Sequence, residues 1–351
     1  MIKVLVVDDS ELIRKMLVAI LSEDEHIQVV GTAIDPIDAR AKIKLLSPDV
    51  ITLDIEMPRM DGITFLKNLI RLRPIPVVMI STLTEKGANI TLEALQIGAV
   101  DFIPKPKLDV RSNLSAMAHE ICSKVKAAAA VDVESMVQQL THDDKVKTHS
   151  QIAEIDKAAN IELVVIGAST GGTEALKFVL SQLPSNMPPI LIVQHMPAGF
   201  TLSFANRLNG FLGIEVSEFN QQKTEPQVGH AYIANGDHHM VVRRERGKLQ
   251  IYKDDSPPVC RHKPSVDVLF DSVASCCAQS TIGVILTGMG EDGANGMLKM
   301  REGGTRTIAQ DERSSVVWGM PKAAVDRNAA EQVLALGDIG KALVKLCRRQ
   351  E

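Results

Sequence analysis

The chain is 351 residues long, 45% hydrophobic and 23% charged: too long for one ordinary core and too apolar for disorder, so two compact domains are expected. Its net charge of −4 is carried by the first 159 residues and the remainder is balanced, which excludes the basic footprint of a nucleic-acid binder. The apolar runs stop well short of the ~20 residues that cross a bilayer, and five cysteines without a C-x-x-C pair argue against a disulfide framework or a zinc site.

The opening "MIKVLVVDDS" enters a strand at once with no cleavable apolar leader, so a cytoplasmic location is expected. From there to residue 122, short β-branched runs ("VLVVD", "VVGTA", "VITLD", "PVVMIS", "DFIPK") alternate with helical patterns. That alternation predicts a parallel sheet covered by helices on both faces, with ligands at the carboxyl ends of the strands. Asp8 and Asp9 close the first strand and Asp54 the third. Three carboxylates meeting at one edge repel unless a cation neutralises them, and an all-oxygen acidic set selects Mg²⁺. Ser81 ends the fourth strand and Lys105 the fifth, adding a hydroxyl and an ammonium that can donate to a phosphoryl group.

The stretches "VVDDS", "LDIEMPRMDG", "PVVMIS" and "GAVDFIPKP" resemble a two-component receiver domain. The resemblance implies a flavodoxin-like fold with strand order 2-1-3-4-5. It also implies that Asp54 accepts phosphate from a histidine kinase while Asp8 and Asp9 hold Mg²⁺. Ser81 would then be the switch hydroxyl, Lys105 the phosphoryl contact, Phe102 the aromatic switch residue, and Lys105–Pro106 a cis peptide bond.

Residues 123–158 contain no glycine or proline and few large apolar side chains, which reads as a helix-prone polar linker without a core of its own. His142, His149, Asp143 and Asp144 fall in it and are read as solvated rather than as a metal site.

The second domain, residues 159–351, begins with "VVIGASTGG", a strand running into a glycine-rich turn with Gly167, Ser169 and Gly171 at Gly-x-Ser-x-Gly spacing. Such a turn suits either a phosphate cradle or a nucleophile elbow. No Walker ending and no Gly-x-Gly-x-x-Gly is found at this loop, which favours Ser169 as a nucleophile. A serine needs a histidine base and an acid to orient it. "PILIVQHMPAGF" places His195 at the end of an apolar strand, whereas His230, His238, His239 and His262 sit in turn-like or polar stretches. "IGVILTGMGEDGANGM" carries Glu291 and Asp292 in another glycine-rich turn after a buried strand, and Asp292 is the expected acid.

"GASTGG", "QHMPAGFT", "KPSVDVLF", "ILTGMGEDGANG" and "QDERSSVVWGMP" resemble the catalytic domain of the protein-glutamate methylesterases of chemotaxis response-regulator type. The resemblance maps the catalytic order Ser, His, Asp onto Ser169, His195 and Asp292 and puts Thr170 and Met289 along the site beside the oxyanion. It implies a Rossmann-like, mostly parallel sheet. It further implies hydrolysis of γ-glutamyl methyl esters on chemoreceptors with release of methanol, deamidation of receptor glutamines, and no cofactor for the ester step. The unphosphorylated receiver would hinder the site, and the chain is expected to work as a monomer. A paralogue serving another receptor array, or a non-catalytic output domain, stays open.

Overall fold

The structure is a computed structural model and describes residues 1–57, 61–105, 114–137, 154–155 and 159–348. The chain divides into two compact units, Met1–Val146 and Lys147–Glu351.

The first unit alternates strand and helix: β1 (Ile2–Val7), α1 (Glu11–Ser22), β2 (Ile27–Ala33), α2 (Pro36–Leu46), β3 (Val50–Asp54), α3 (Gly62–Leu72), β4 (Val77–Ser81), α4 (Glu85–Ile97), β5 (Asp101–Pro104) and α5 (Leu114–Ala129). The sheet has order β2-β1-β3-β4-β5 and every pairing is parallel, as the alternation predicted. Val4–Val7, Ile51, Leu53 and Val77–Ile80 are fully buried, which is why these runs are apolar throughout rather than alternating. Four helices start on a side-chain oxygen that accepts a backbone N–H: Ser10 from Ile13, Asp35 from Asp38, Asp61 from Thr64 and Thr84 from Gly87. Ser10 thus caps α1, and Asp8 stays on the sheet edge.

The 123–158 linker is narrower than its composition suggested. Helix α5 runs straight through residue 122 and buries Ile121, Val125 and Ala128 against the first unit, a 3.6-residue stripe masked in sequence by the polar residues between. At the other end, Ile155 exchanges two backbone hydrogen bonds with the Asn186 side chain and is buried. His142, His149, Asp143, Asp144 and the Lys105–Pro106 bond lie outside the described residues.

The second unit comprises β6 (Leu163–Ala168), α6 (Gly172–Leu180), β7 (Ile190–Gln194), α7 (Phe200–Asn209), β8 (Glu215–Phe219), β9 (Lys223–Thr224), β10 (His230–Ala234), β11 (His239–Glu245), β12 (Lys248–Asp254), α8 (Val266–Cys276), β13 (Thr281–Ile285), α9 (Ala294–Glu302), β14 (Arg306–Gln310), α10 (Met320–Asp326), β15 (Gln332–Leu334) and α11 (Leu336–Cys347). Its main sheet has order β15-β14-β13-β6-β7-β10-β8 and is parallel throughout. Among the described residues, antiparallel pairing occurs in a separate sheet, β11-β12-β9, and in an isolated Val259–His262 bridge. The chain leaves β6 toward β7 on one side and returns to β13 on the other, so the carboxyl end of β6 sits at a topological switch point, where doubly wound sheets open a crevice. Among the described residues, no helix is long and apolar enough to cross a membrane.

Candidate active site and phosphoacceptor site

The crevice beyond β6 is built by register. Ala168 pairs with Gln194, so the next residues along, Ser169 and His195, leave adjacent strands side by side, and the His195 N–H donates to the Ala168 carbonyl at 3.1 Å. On the other flank the Ser169 N–H donates to Thr287 O at 3.0 Å, tying the elbow to the loop after β13. The turn closes at Gly171, whose φ of +77° is a left-handed conformation that a side chain would strain. Thr170 is buried, its carbonyl accepting the Thr287 hydroxyl at 2.9 Å, and Met289 is half-buried in the loop between β13 and α9.

That loop delivers Asp292, which is 1% exposed. One carboxylate oxygen accepts from His195 Nε2 (2.8 Å) and the Val266 N–H (2.7 Å); the other accepts from the Ser265 hydroxyl (2.7 Å) and the Asp267 N–H (3.0 Å). The backbone donors are the first two of α8, so the anion also lies at the positive end of that helix. Burial pushes the Asp292 carboxyl up, but the hydrogen bond and charge of His195 and the other donors outweigh it and hold the pKa at about 2. Neighbouring Glu291 is exposed and ion-pairs with Arg327 instead.

An ionised Asp292 can only accept, so His195 Nε2 carries the proton and Nδ1 of the neutral ring is left with its lone pair. Nδ1 is buried and has no hydrogen-bond partner.

Three residues that the sequence reading set aside, or did not single out, belong to this site. His262 was read as part of a polar stretch, yet its ring stacks on His195 with centroids 3.8 Å apart and planes 12° from parallel. It is held there by a tight turn in which Val259 and His262 exchange both backbone hydrogen bonds, with Cys260 (φ 50°) and Arg261 (φ 67°) in left-handed conformations at the tip. His239 is 1% exposed; its Nδ1 accepts the Ser265 N–H at 3.0 Å and its Nε2 donates to Pro257 O at 3.1 Å, bracing the cradle of Asp292. Ser265 reads as a helix cap, but its hydroxyl turns to Asp292 and makes no cap bond to α8.

Cys260 Sγ, Asp267 and Asp292 bring ligand-type atoms within 4.8 Å of one another. Partial burial and the carboxylates of Asp292 and Asp267 push the Cys260 thiol up to about 11, so it stays protonated at neutral pH. With the Asp292 oxygens already engaged by four donors, the group lacks the free anionic ligands of a metal centre.

In the first unit, Asp8 is 0% and Asp54 1% exposed, with Asp9 exposed beside them, and the three offer oxygens within 4.8 Å of one another. Lys105 Nζ reaches Asp54 at 2.7 Å and Asp8 at 3.6 Å. Burial pushes the Asp54 carboxyl up to about 6 despite Lys105, with Asp8 adding repulsion; burial raises Asp8 as well. One oxygen of Asp8 accepts from Ser10 N at 2.8 Å; the other, also buried, has no hydrogen-bond partner and only the Lys105 ammonium at 3.6 Å. A carboxylate oxygen without a hydrogen bond, beside two more carboxylates, is a donor set that fits a hard divalent cation. Ser81 Oγ accepts from Thr91 Oγ1 at 2.7 Å and sits 3.4 Å from the Gly87 carbonyl, on the α4 side of the sheet edge. Phe102 is buried on β5, with Lys124 Nζ 5.2 Å from its ring centre.

Comparison with known proteins assigns both units. Residues 164–343 match the family model of the CheB methylesterase, and residues 4–117 match that of the response regulator receiver domain. The chain belongs to the CheB methylesterase family. A protein-glutamate methylesterase/protein-glutamine glutaminase of Hydrogenovibrio crunogenus is 48% identical, covering 99% of both chains. One of Xanthomonas campestris is 50% identical, covering 98% of this chain and 97% of its own. The likeness to these relatives therefore runs through both units. Among solved structures, the Thermotoga maritima CheB methylesterase catalytic domain is 40% identical, with a TM-score of 0.52 over 53% of this chain and 98% of its own.

Proposed function

We propose that the chain is a phosphorylation-controlled esterase that hydrolyses γ-glutamyl methyl esters on the cytoplasmic helices of chemoreceptors, using Ser169, His195 and Asp292. The observation that carries the reading is His195: Nε2 bound to an ionised, fourfold-bonded Asp292, and a buried Nδ1 without a hydrogen-bond partner on the same sheet edge as Ser169. In this reading Nδ1 takes the Ser169 proton as Oγ attacks the ester carbonyl. The C–OCH₃ bond breaks, and the same proton leaves with methanol. Water then repeats the sequence on the acyl-enzyme, releasing the glutamate and freeing Ser169. Asp292 keeps the proton on Nε2 and stabilises the imidazolium. Backbone N–H groups of Thr170 and Met289 are the proposed oxyanion donors, a contribution typically worth ~3 kcal/mol. The same steps applied to a glutamine side chain release ammonia, more slowly because an amide is the poorer acyl donor.

The first unit is proposed as the control. Asp54 accepts a phosphoryl group from a histidine kinase, with Lys105 and Ser81 as its contacts and Phe102 as the aromatic that follows the switch. Asp8, Asp9 and Asp54 would hold Mg²⁺, which supplies charge neutralisation for the phosphoryl group. The chain is proposed to act as a monomer in which phosphorylation relieves hindrance of the esterase. The test is methanol release from methylated receptor membranes with and without a small phosphodonor. Ser169→Ala should remove it by several orders of magnitude, since losses near ~10⁶ follow removal of such a serine. A folded Ser169→Ala protein keeping more than a tenth of the activity refutes the nucleophile.

A further inference from the structure

Gln194 ends β7 immediately before His195 and is 3% exposed, an unusual place for a primary amide on a strand otherwise made of Ile190, Leu191, Ile192 and Val193. Its Nε2 makes two hydrogen bonds, one to the carbonyl of Ser169 (2.9 Å) and one to the carbonyl of His195 (3.3 Å). Its Oε1 is buried and has no partner. A leucine or methionine would fill the site without that orphaned oxygen, so packing alone does not account for an amide here. The two carbonyls it joins belong to the proposed nucleophile and the proposed base.

A trans peptide unit is planar, so fixing a carbonyl oxygen fixes the direction of the N–H that follows it. The Ser169 oxygen is held on both lone pairs, by Gln194 Nε2 and by the Gly172 N–H at 2.7 Å. The N–H in the same peptide plane is that of Thr170. The His195 carbonyl shares its plane with the Met196 N–H and is anchored by the same amide. We propose that Gln194 is a positioning residue of the esterase: its amide locks the Ser169–Thr170 and His195–Met196 peptide planes relative to each other, aiming the Thr170 N–H at the developing oxyanion and setting the base beside the nucleophile. This deepens the serine-esterase reading and rests on it.

Gly172 supplies an independent observation on the same contact. A Cβ built there would sit 2.2 Å from Gln194 Oε1 and 2.8 Å from the Ala168 Cβ. Gly172 is the first residue of α6, where alanine favours the helix, so the requirement for glycine comes from the space that the Gln194 amide and the Ala168 methyl occupy. The last glycine of "GASTGG" and the glutamine of "QHMP" therefore meet in one contact.

The experiment uses the full chain and methylated receptor membranes. Gln194→Met keeps the volume and loses both donors; kcat should fall about 10- to 100-fold, with KM changed less than threefold, because the lost aim is felt in the transition state. Labelling of Ser169 by a fluorophosphonate, which builds a tetrahedral anionic adduct, should slow in parallel. Gly172→Ala presses a methyl on both the amide and the Ala168 methyl, so it should lower kcat in the same way while unfolding at lower urea than the unmodified chain. Gln194→Glu tests the donor itself. A buried glutamic acid donates one O–H when neutral and repels both carbonyls when ionised, so its kcat relative to the unmodified chain should fall as pH rises. A folded Gln194→Met or Gln194→Glu protein with kcat within twofold of the unmodified chain at all pH values overturns the proposal. Ser169→Ala run alongside separates the two readings: activity retained there refutes the serine mechanism, whereas its loss together with an unimpaired Gln194→Met refutes the positioning role alone.

Discussion

Replacing Asp292 by asparagine removes one charge and almost no volume, so it isolates the part that the charge plays. All four bonds to the Asp292 carboxylate come from donors: His195 Nε2, Val266 N, Ser265 Oγ and Asp267 N. An asparagine keeps one acceptor oxygen and turns an NH₂ toward the rest. If the oxygen stays with Ser265 and Asp267, the amide faces the Val266 N–H, a buried donor left unsatisfied at about 1–3 kcal/mol. It also faces His195, which must present a bare Nε2 and so moves its proton to Nδ1, the atom proposed to take one from Ser169. A wrong tautomer of this kind costs roughly 10⁴ in kcat where it has been engineered into a serine hydrolase. The stability change carries its own pH signature. The Asp292 carboxyl sits at about 2 against 3.8 in the unfolded chain, so its ionised form contributes about 2 kcal/mol. Because the folded pKa is the lower one, that contribution is whole above about pH 4 and fades as pH falls toward 2. Trp318 is the single tryptophan and lies in the second unit, so urea unfolding followed by its fluorescence reads that unit alone. Asp292→Asn should unfold at lower urea than the unmodified chain at pH 7, and the gap should narrow as the pH is taken from 4 to 2. A gap independent of pH, or a folded variant with kcat within tenfold of the unmodified chain, refutes the account.

Other outcomes rest on the same geometry. His262→Ala removes a stacked ring worth about 0.5–1.5 kcal/mol, so kcat should drop roughly three- to tenfold and His262→Phe should recover most of it; equal activity of all three proteins would leave the stack without a role. Asp54→Asn should block labelling by a phosphodonor and leave methanol release unresponsive to it, and a response that survives puts the phosphoacceptor elsewhere. Chelation of divalent cations should abolish that stimulation while sparing basal ester hydrolysis, since no step proposed at Ser169 uses a metal; basal activity that falls on chelation and returns with added metal contradicts the serine mechanism. Residues 147–351 alone should release methanol faster than the unphosphorylated full chain, each tenfold corresponding to about 1.4 kcal/mol of hindrance; an equal or slower rate excludes hindrance by the receiver.

What could be read from the sequence is what short range dictates. Asp8, Asp54, Ser81, Ser169 and His195 each lie at the end of a predominantly apolar run, and in a parallel sheet the end of such a run is the ligand edge, so residue type and position together announce them. The supports were hidden because they arrive from afar. His239 opens β11 and Ser265 precedes α8, and neither meets Asp292's surroundings until the antiparallel sheet and α8 fold back on the main sheet. His262 needs a turn with two non-glycine residues in left-handed conformations, which "VCRH" does not advertise. Gln194 stood in plain view beside His195, but a polar residue closing a strand reads equally well as a solvated end. The stripe of α5 was lost because Val125 and Ala128 are separated by lysine and small residues in a segment judged by its composition.

The turn that carries His262 has a practical consequence. Of the five cysteines, Cys122, Cys277 and Cys347 are buried and Cys276 half-buried; Cys260 is exposed, two residues from the ring stacked on His195. A maleimide fluorophore or nitroxide would therefore attach at one place on the native fold, at the lip of the catalytic crevice. With its thiol held at about 11, the coupling should run slowly at pH 7 and accelerate with alkalinity, which keeps stoichiometry controllable. The molecule thus comes with its own reporter position beside His195, usable without an engineered cysteine.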